Sequence, residues 1–192
     1  AITDMVQSIS LDEAYLDVTN NKIGATSIAQ IGVVLQTKIR HETGLNCSFG
    51  ATYNKFLAKM GSEYSKPLGR TVILPSEAKA FLAKQKIEKF HGIGPKTQRK
   101  LHDMGVYTGK ELQAMPVRAL IKYFHRMGYI IAEHANGIDL SRVVPDSEQN
   151  RKSIGIERTY EPSIYSKQKA LSKLHDYCIA RSEERRVGKE CR

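Results

Sequence analysis

The chain is 192 residues long and basic, with 30 Lys and Arg against 20 Asp and Glu, a formal net charge of +10. Its three cysteines, Cys47, Cys178 and Cys191, form neither a Cys-x-x-Cys pair nor an even framework, which argues against structural zinc and a secreted disulfide scaffold. No apolar run reaches the length of a membrane span and no signal-peptide pattern opens the chain, so the expected setting is the cytoplasm and the expected partner a polyanion.

Residues 8–19, SISLDEAYLDVT, set Asp12 and Glu13 between two short runs that read as β-strands. Ile9 and Leu11 form the apolar side of the first run, and Tyr15, Leu16 and Val18 supply β-formers to the second. Residues 1–20 hold Asp4, Asp12, Glu13 and Asp17 and no Lys or Arg, a local charge of −4 against the trend of the chain. Carboxylates converging at a strand end can hold a hard cation such as Mg²⁺, which takes oxygen ligands. Taken alone, an Asp-Glu pair is more often a solvated turn.

A helix with Ile28, Ile31, Leu35 and Ile39 on one stripe follows and ends near Gly44. Residues 46–53 read as a buried strand of small residues, and the stretch after them as a helix with Phe56, Leu57 and Met60 turned inward. Lys55, Lys59 and Lys66, spaced by four and seven, then share one face of that helix without interspersed partners. Such a row suits a polyphosphate, although by itself it is more often an exposed basic face. Ser76 is a candidate cap for a further short helix.

Residues 90–106, FHGIGPKTQRKLHDMGV, place Gly92, Ile93 and Gly94 in a tight hairpin and Pro95 at a first helical position. Leu101 and Met104 provide the inward face, and Gly105 follows the helix end. The pattern resembles a helix-hairpin-helix motif, whose exposed N–H groups bind a DNA phosphate, and Lys96, Arg99 and Lys100 add charge at that end. Glycine turns between helices are also common without any ligand. From residue 84 to 126 ten Lys and Arg face three Asp and Glu, a local charge of +7 that attracts phosphate without reading bases. Thr108 and Glu111 make a capping-box pattern, Pro116 opens the next segment, and Asn136-Gly137 closes the last helix. Residues 145–150 are polar, residues 152–160 alternate like a strand, and Ser166 starts an amphipathic helix carrying Leu171, Leu174 and Cys178.

Two of these segments fit longer motifs. Ser10, Asp12, Glu13, Ala14, Asp17, Val18 and Thr19 match S-x-D-E-A-x-x-D-V-T. Cys47, Ser48, Gly50, Asn54, Lys55, Leu57, Ala58 and Lys59 match C-S-x-G-x-x-x-N-K-x-L-A-K, and Lys66, Pro67 and Gly69 match the K-P-x-G that ends it. In this order and spacing they resemble the palm of the Y-family DNA polymerases, the lesion-bypass enzymes, and the resemblance runs over residues 1–180.

The resemblance implies an α+β fold. Residues 1–83 would be a partial palm, an antiparallel hairpin plus helices, and 84–144 an all-α helix-hairpin-helix thumb. Residues 145–151 would be a linker and 152–180 the start of an α/β little-finger domain, while 181–192 match nothing in the family and are read as a non-native tail. It further implies template-directed DNA synthesis past damaged bases by nucleotidyl transfer with two Mg²⁺ ions. Asp12 would be a metal ligand and Glu13 would complete the catalytic site. Lys66 would hold the incoming deoxynucleoside triphosphate with Lys59 nearby, and Gly92, Ile93, Gly94, Lys96 and Arg99 would hold primer-template DNA. The protein would act as a monomer, away from membranes, with any sliding-clamp contact made through segments absent from this chain.

The family's first palm strand, with another metal-binding Asp, and its fingers have no counterpart here. The expectation is therefore a chain that binds DNA with an incomplete metal site. Two other readings use fewer of these residues. A non-catalytic helix-hairpin-helix DNA-binding module leaves Asp12, Glu13 and Lys66 idle, and a palm-fold nucleotidyl cyclase has no need of the thumb.

Overall fold

Strands β1 (Val6–Ser8) and β2 (Ala14–Leu16) pair antiparallel, Val6 opposite Leu16 and Ser8 opposite Ala14, in a computed structural model that describes residues 2–149 and 157–190, with side chains to residue 182. The expected hairpin is present, but its first strand lies earlier than the apolar pattern indicated. Ile9 and Leu11 sit in the connecting loop, exposed, because the N–H groups of Ile9 and Ser10 both turn to the Glu13 carbonyl, at 2.8 and 3.3 Å. That closure ends the ladder before residue 11 can join it.

Helix α1 (Ile28–Thr43) is capped by Ser27, whose side chain accepts from the Gln30 N–H, and stops at Gly44 in the left-handed region. Its buried side is Ile31, Gly32 and Gln36, so the expected stripe is rotated and Ile39 faces solvent. Gln36 can be buried because its amide is satisfied. Its Nε2 donates to the Cys47 carbonyl at 2.7 Å, and its Oε1 accepts from Arg70 Nε at 2.6 Å.

Strands β3 (Phe49–Ala51) and β4 (Arg70–Val72) pair in parallel, joined through helix α2 (Lys55–Tyr64). The strand expected over residues 46–53 is cut to the three residues that find a partner. Phe56, Leu57 and Met60 of α2 are buried as expected. The helix lies so close to β3 that a Cβ on Gly50 would stand 2.1 Å from the Ala58 carbonyl oxygen, which requires glycine there. Two side chains cap its start: Asn54 Oδ1 accepts from the Leu57 N–H at 2.9 Å, and the Asp139 carboxylate accepts from the Phe56 N–H at 3.0 Å.

Helix α3 (Pro75–Ala83) begins with Pro75 at the first helical position, so Leu74 is the cap residue and Ser76 lies inside the first turn. Four more helices follow: α4 (Pro95–Asp103), α5 (Gly109–Ala114), α6 (Val117–Phe124) and α7 (Arg126–Ala135). Glu111 accepts from the Thr108 and Tyr107 N–H groups at 2.8 and 2.7 Å, completing the expected cap of α5. The end of α4 is a Schellman motif, with Gly105 N–H on the His102 carbonyl and Val106 N–H on that of Leu101, both at 2.9 Å.

One hydrophobic cluster runs from α2 through α7, with Leu57, Leu82, Ile87, Leu101, Leu112 and Leu120 withdrawn from solvent. Phe56 is central to it, tilted against Phe90 at 6.1 Å between centroids and stacked on the His134 ring at 4.1 Å. After α7 the chain runs back along α2 and β1. Gly137 accepts from Tyr53 Oη and Asn54 Nδ2, Arg142 from Lys55 Nζ, and Asp146 from both the N–H and the hydroxyl of Ser8.

The chain forms two units, residues 1–148 and 149–192, the foregoing being the first. In the second, helix α8 (Lys167–Glu190) starts directly after Ser166, as expected. Leu171, Leu174 and Cys178 are exposed on it, so the apolar face read from the sequence is not a buried one. The hydroxyls of Tyr160 and Tyr177 are hydrogen-bonded to each other. The strand expected over 152–160 lies for the most part outside the described residues, and 157–160 are irregular. No described helix is long and apolar enough to cross a membrane. The architecture is α+β, with small sheets and predominant helix.

Candidate functional site

The hairpin loop presents Asp12 and Glu13 toward α2. Glu13 Oε1 lies 2.5 Å from Lys59 Nζ, which is also 3.0 Å from Glu63 Oε1. The same Glu63 oxygen is 2.7 Å from Lys66 Nζ. The result is an alternating ladder, Glu13–Lys59–Glu63–Lys66, that joins the hairpin loop to the turn after α2. Lys59 is its most enclosed member, its side chain 15% exposed.

The expected row of unpartnered lysines on one helix face does not occur. Helix α2 ends at Tyr64, so Lys66 lies beyond it in the following turn. Glu63 stands four residues after Lys59 and three before Lys66, the spacings at which helical side chains meet, and it pairs with both. Lys55 points elsewhere: its ammonium reaches Gln7 Oε1 at 3.2 Å and the Arg142 carbonyl at 2.7 Å, and lies 5.6 Å from the centroid of the Tyr15 ring.

Ser10 Oγ donates to Asp12 Oδ1 at 2.6 Å, and this bond is the main cause holding the Asp12 carboxyl below the usual range, with smaller help from Lys66 and Lys59. The Glu63 carboxyl is lowered chiefly by its bond from Lys66, against the opposing effect of burial. Burial alone would lower Lys59, but its hydrogen bonds to Glu13 and Glu63 outweigh that and raise it. Both shifts favour the charged forms of Lys59 and Glu63.

The turn bearing Lys66 is held from two sides. Ser48 Oγ accepts from the Gly69 N–H at 3.0 Å, and Gln36 Nε2 reaches the Leu68 carbonyl at 3.4 Å while its Oε1 binds Arg70. Glu63 and Gln36 are thus part of the site without having been singled out from the sequence, and Ser10, named there only as a motif position, joins them. Glu63 was signalled by its helical spacing from two lysines and Ser10 by its place in the motif. Nothing in the pattern marks Gln36, a polar residue on an otherwise apolar stripe.

The hairpin pair is chemically suited to a divalent ion. Asp12 and Glu13 offer hard oxygen donors on adjacent residues of one loop, and among the described residues no group of three or more His, Cys, Asp or Glu side chains forms a closed metal cage. Two carboxylates fit an ion that completes its coordination with water and substrate oxygens, the habit of Mg²⁺.

At the second predicted site Gly92 adopts φ 84° and Gly94 is extended, with φ −81° and ψ 171°, just before Pro95 opens α4. Ile93 is buried and its N–H donates to the Phe90 carbonyl at 3.1 Å, so this residue anchors the hairpin into the core. Among the described residues the N–H groups of Gly92 and Gly94 have no acceptor. Lys96 and Arg99 are exposed on the first turns of α4, and Arg99 Nε approaches the Pro95 carbonyl at 3.4 Å. A basic, exposed helix start with unengaged amide donors is chemically suited to an anion.

Residues 1–63 match the impB/mucB/samB family, and residues 75–106 match the IMS family HHH motif. The chain is 52% identical over 163 residues to DNA polymerase IV of Streptococcus pyogenes serotype M12, and equally to that of serotype M1. These alignments take in 85% of this chain and 44% of each relative, so the chain spans less than half the length of the curated relatives it matches. Among solved structures, DinB from Sulfolobus solfataricus superposes with a TM-score of 0.66 at 26% identity, over 75% of this chain and 43% of that one. A Dbh ternary complex gives 0.67 at 27% identity, over 75% and 44% of the two chains. The hairpin and lysine motifs, the two family matches and the shared fold make this chain a member of the Y family of DNA polymerases.

Proposed function

We propose that this chain forms the palm hairpin and thumb of a DNA-directed DNA polymerase that copies damaged templates by nucleotidyl transfer. The observation that carries the reading is the ladder from Glu13 to Lys66, which brings the acidic loop and the basic turn into one charged site. In this reading residues 1–83 are the palm, 84–144 the thumb, 145–151 a linker and 152–180 the opening of the little finger. The family relationship supports Mg²⁺ as the ion, two per complete site, and the cytoplasm as the setting.

The residues divide the work. Asp12 and Glu13 hold divalent cations at the primer terminus, and Ser10 orients Asp12 through its hydroxyl. Bound there, two such ions supply stabilisation of the attacking 3′-oxygen and of the leaving pyrophosphate oxygens. Lys66 exchanges Glu63 for the phosphates of the incoming deoxynucleoside triphosphate and offsets charge as the leaving group departs. The Gly92 and Gly94 N–H groups, with Lys96 and Arg99, hold a phosphate of the primer-template duplex and fix its register without reading sequence.

A chimera in which the matched segment replaces its counterpart in the streptococcal polymerase tests this by primer extension opposite intact and damaged template bases. The reading predicts incorporation that needs a divalent cation and is lost with Asp12→Ala. A folded, DNA-binding chimera that extends neither template would contradict it, and a cyclic nucleotide product would assign the carboxylates to a cyclase.

A further inference from the structure

The ladder couples the two charged partners of the site, an inference that rests on the reading of Asp12 and Glu13 as cation ligands. We propose that Lys59 is a built-in counter-ion of Glu13, exchanged for a divalent cation when one binds, and that Glu63 retains the released ammonium beside Lys66. Glu13 and Lys59 come from elements 46 residues apart and meet at 2.5 Å, so the contact is made by the tertiary fold and not by local spacing. A cation on Glu13 must compete with that ammonium for the same oxygen. Lys59 has a second acceptor already in place, Glu63 at 3.0 Å, and its side chain is largely enclosed.

The charge balance gives the exchange a consequence. Glu13, Lys59, Glu63 and Lys66 sum to zero while the ladder is intact. Once a cation takes Glu13, Lys59 and Lys66 share the single carboxylate of Glu63, leaving one net positive charge where an anionic triphosphate would lie. Cation binding thereby raises affinity for the polyphosphate, and by linkage the polyphosphate raises affinity for the cation. A plain structural salt bridge would do neither. Its loss would loosen the hairpin and weaken the cation site.

The test is Mn²⁺ binding to the 192-residue chain, read as loss of the electron paramagnetic resonance signal of free aqueous Mn²⁺. Lys59→Met, which keeps the apolar stem and removes the ammonium, should tighten Mn²⁺ binding about three- to tenfold, from the upper range of an exposed ion pair to beyond it. Lys59→Gln should move it in the same direction, with circular dichroism verifying the fold of each variant. Lys66→Met removes the same charge without touching Glu13 and should change binding less. Equal effects of Lys59→Met and Lys66→Met, no effect, or weaker binding in both Lys59 variants would overturn the exchange while leaving the cation reading intact. Mn²⁺ binding that is absent, or unaltered by Asp12→Asn with Glu13→Gln, would overturn the cation reading and the exchange with it.

Discussion

Gly92 and Gly94 share a hairpin but meet different constraints. Gly92, at φ 84°, occupies the left-handed region, where any side chain is strained, whereas a Cβ on Gly94 would meet no atom within 4 Å and its extended backbone suits a β-branched residue. The sequence could show two glycines at a turn but not which one carries the positive φ. Gly94→Val should therefore leave stability within about 0.5 kcal/mol of the parent. Its branched side chain would still stand between the amide donors and a phosphate, so affinity for primer-template DNA should fall several-fold by fluorescence anisotropy at fixed salt. A folded Gly94→Val chain with undiminished affinity would return the hairpin to the status of an interhelical turn. The carboxylates and Lys66 were legible because each sits in a contiguous motif. Glu63 was harder to read, since its role depends on where Lys59 goes, and that is set by Glu13 on a distant loop.

At the scale of elements, α2 positions most of the site, and its start is fixed by Asp139, 83 residues from the N–H it accepts. Burial pushes the Asp139 carboxyl up, but bonds from Ser141 and Phe56 outweigh this and hold it below the usual carboxylate range. Because the folded-state value is depressed, the stabilisation is complete above the unfolded carboxylate range, about pH 4, and is lost as pH falls through the folded value. Asp139→Ala should cost about 0.5–2 kcal/mol at neutral pH, the usual cost of losing a helix cap. Its deficit should shrink in acid, as chemical denaturation at pH 7 and pH 3 would reveal. A deficit independent of pH would show that the loss is one of packing and not of the charged cap. Helix faces were readable from periodicity in α2 and α4, and helix stops where a glycine follows, as Gly44 after α1 and Gly105 after α4. Strands of three residues were misplaced because their ends are decided by partners, and the face of α1 was misread because a satisfied Gln36 takes a core position.

Over the whole molecule, one core joins the glycine hairpin to α2, and α2 carries the charged ladder that reaches the acidic hairpin and the lysine turn. That continuity, and the return of the chain from Gly137 to Asp146 along α2 and β1, follow from contacts over 80 residues or more that no local pattern could specify. The central claim is that Asp12 and Lys66 serve one transfer reaction in different capacities. Single-nucleotide incorporation by the streptococcal chimera, measured against nucleotide concentration, tests it most directly. Asp12→Ala should abolish incorporation while leaving DNA binding intact. Lys66→Ala should lower kcat/KM about ten- to a hundredfold, as expected for the loss of a charge-assisted phosphate contact of roughly 1.5–3 kcal/mol. A Lys66→Ala chimera indistinguishable from its parent, beside an inactive Asp12→Ala, would contradict the account and place the triphosphate site elsewhere.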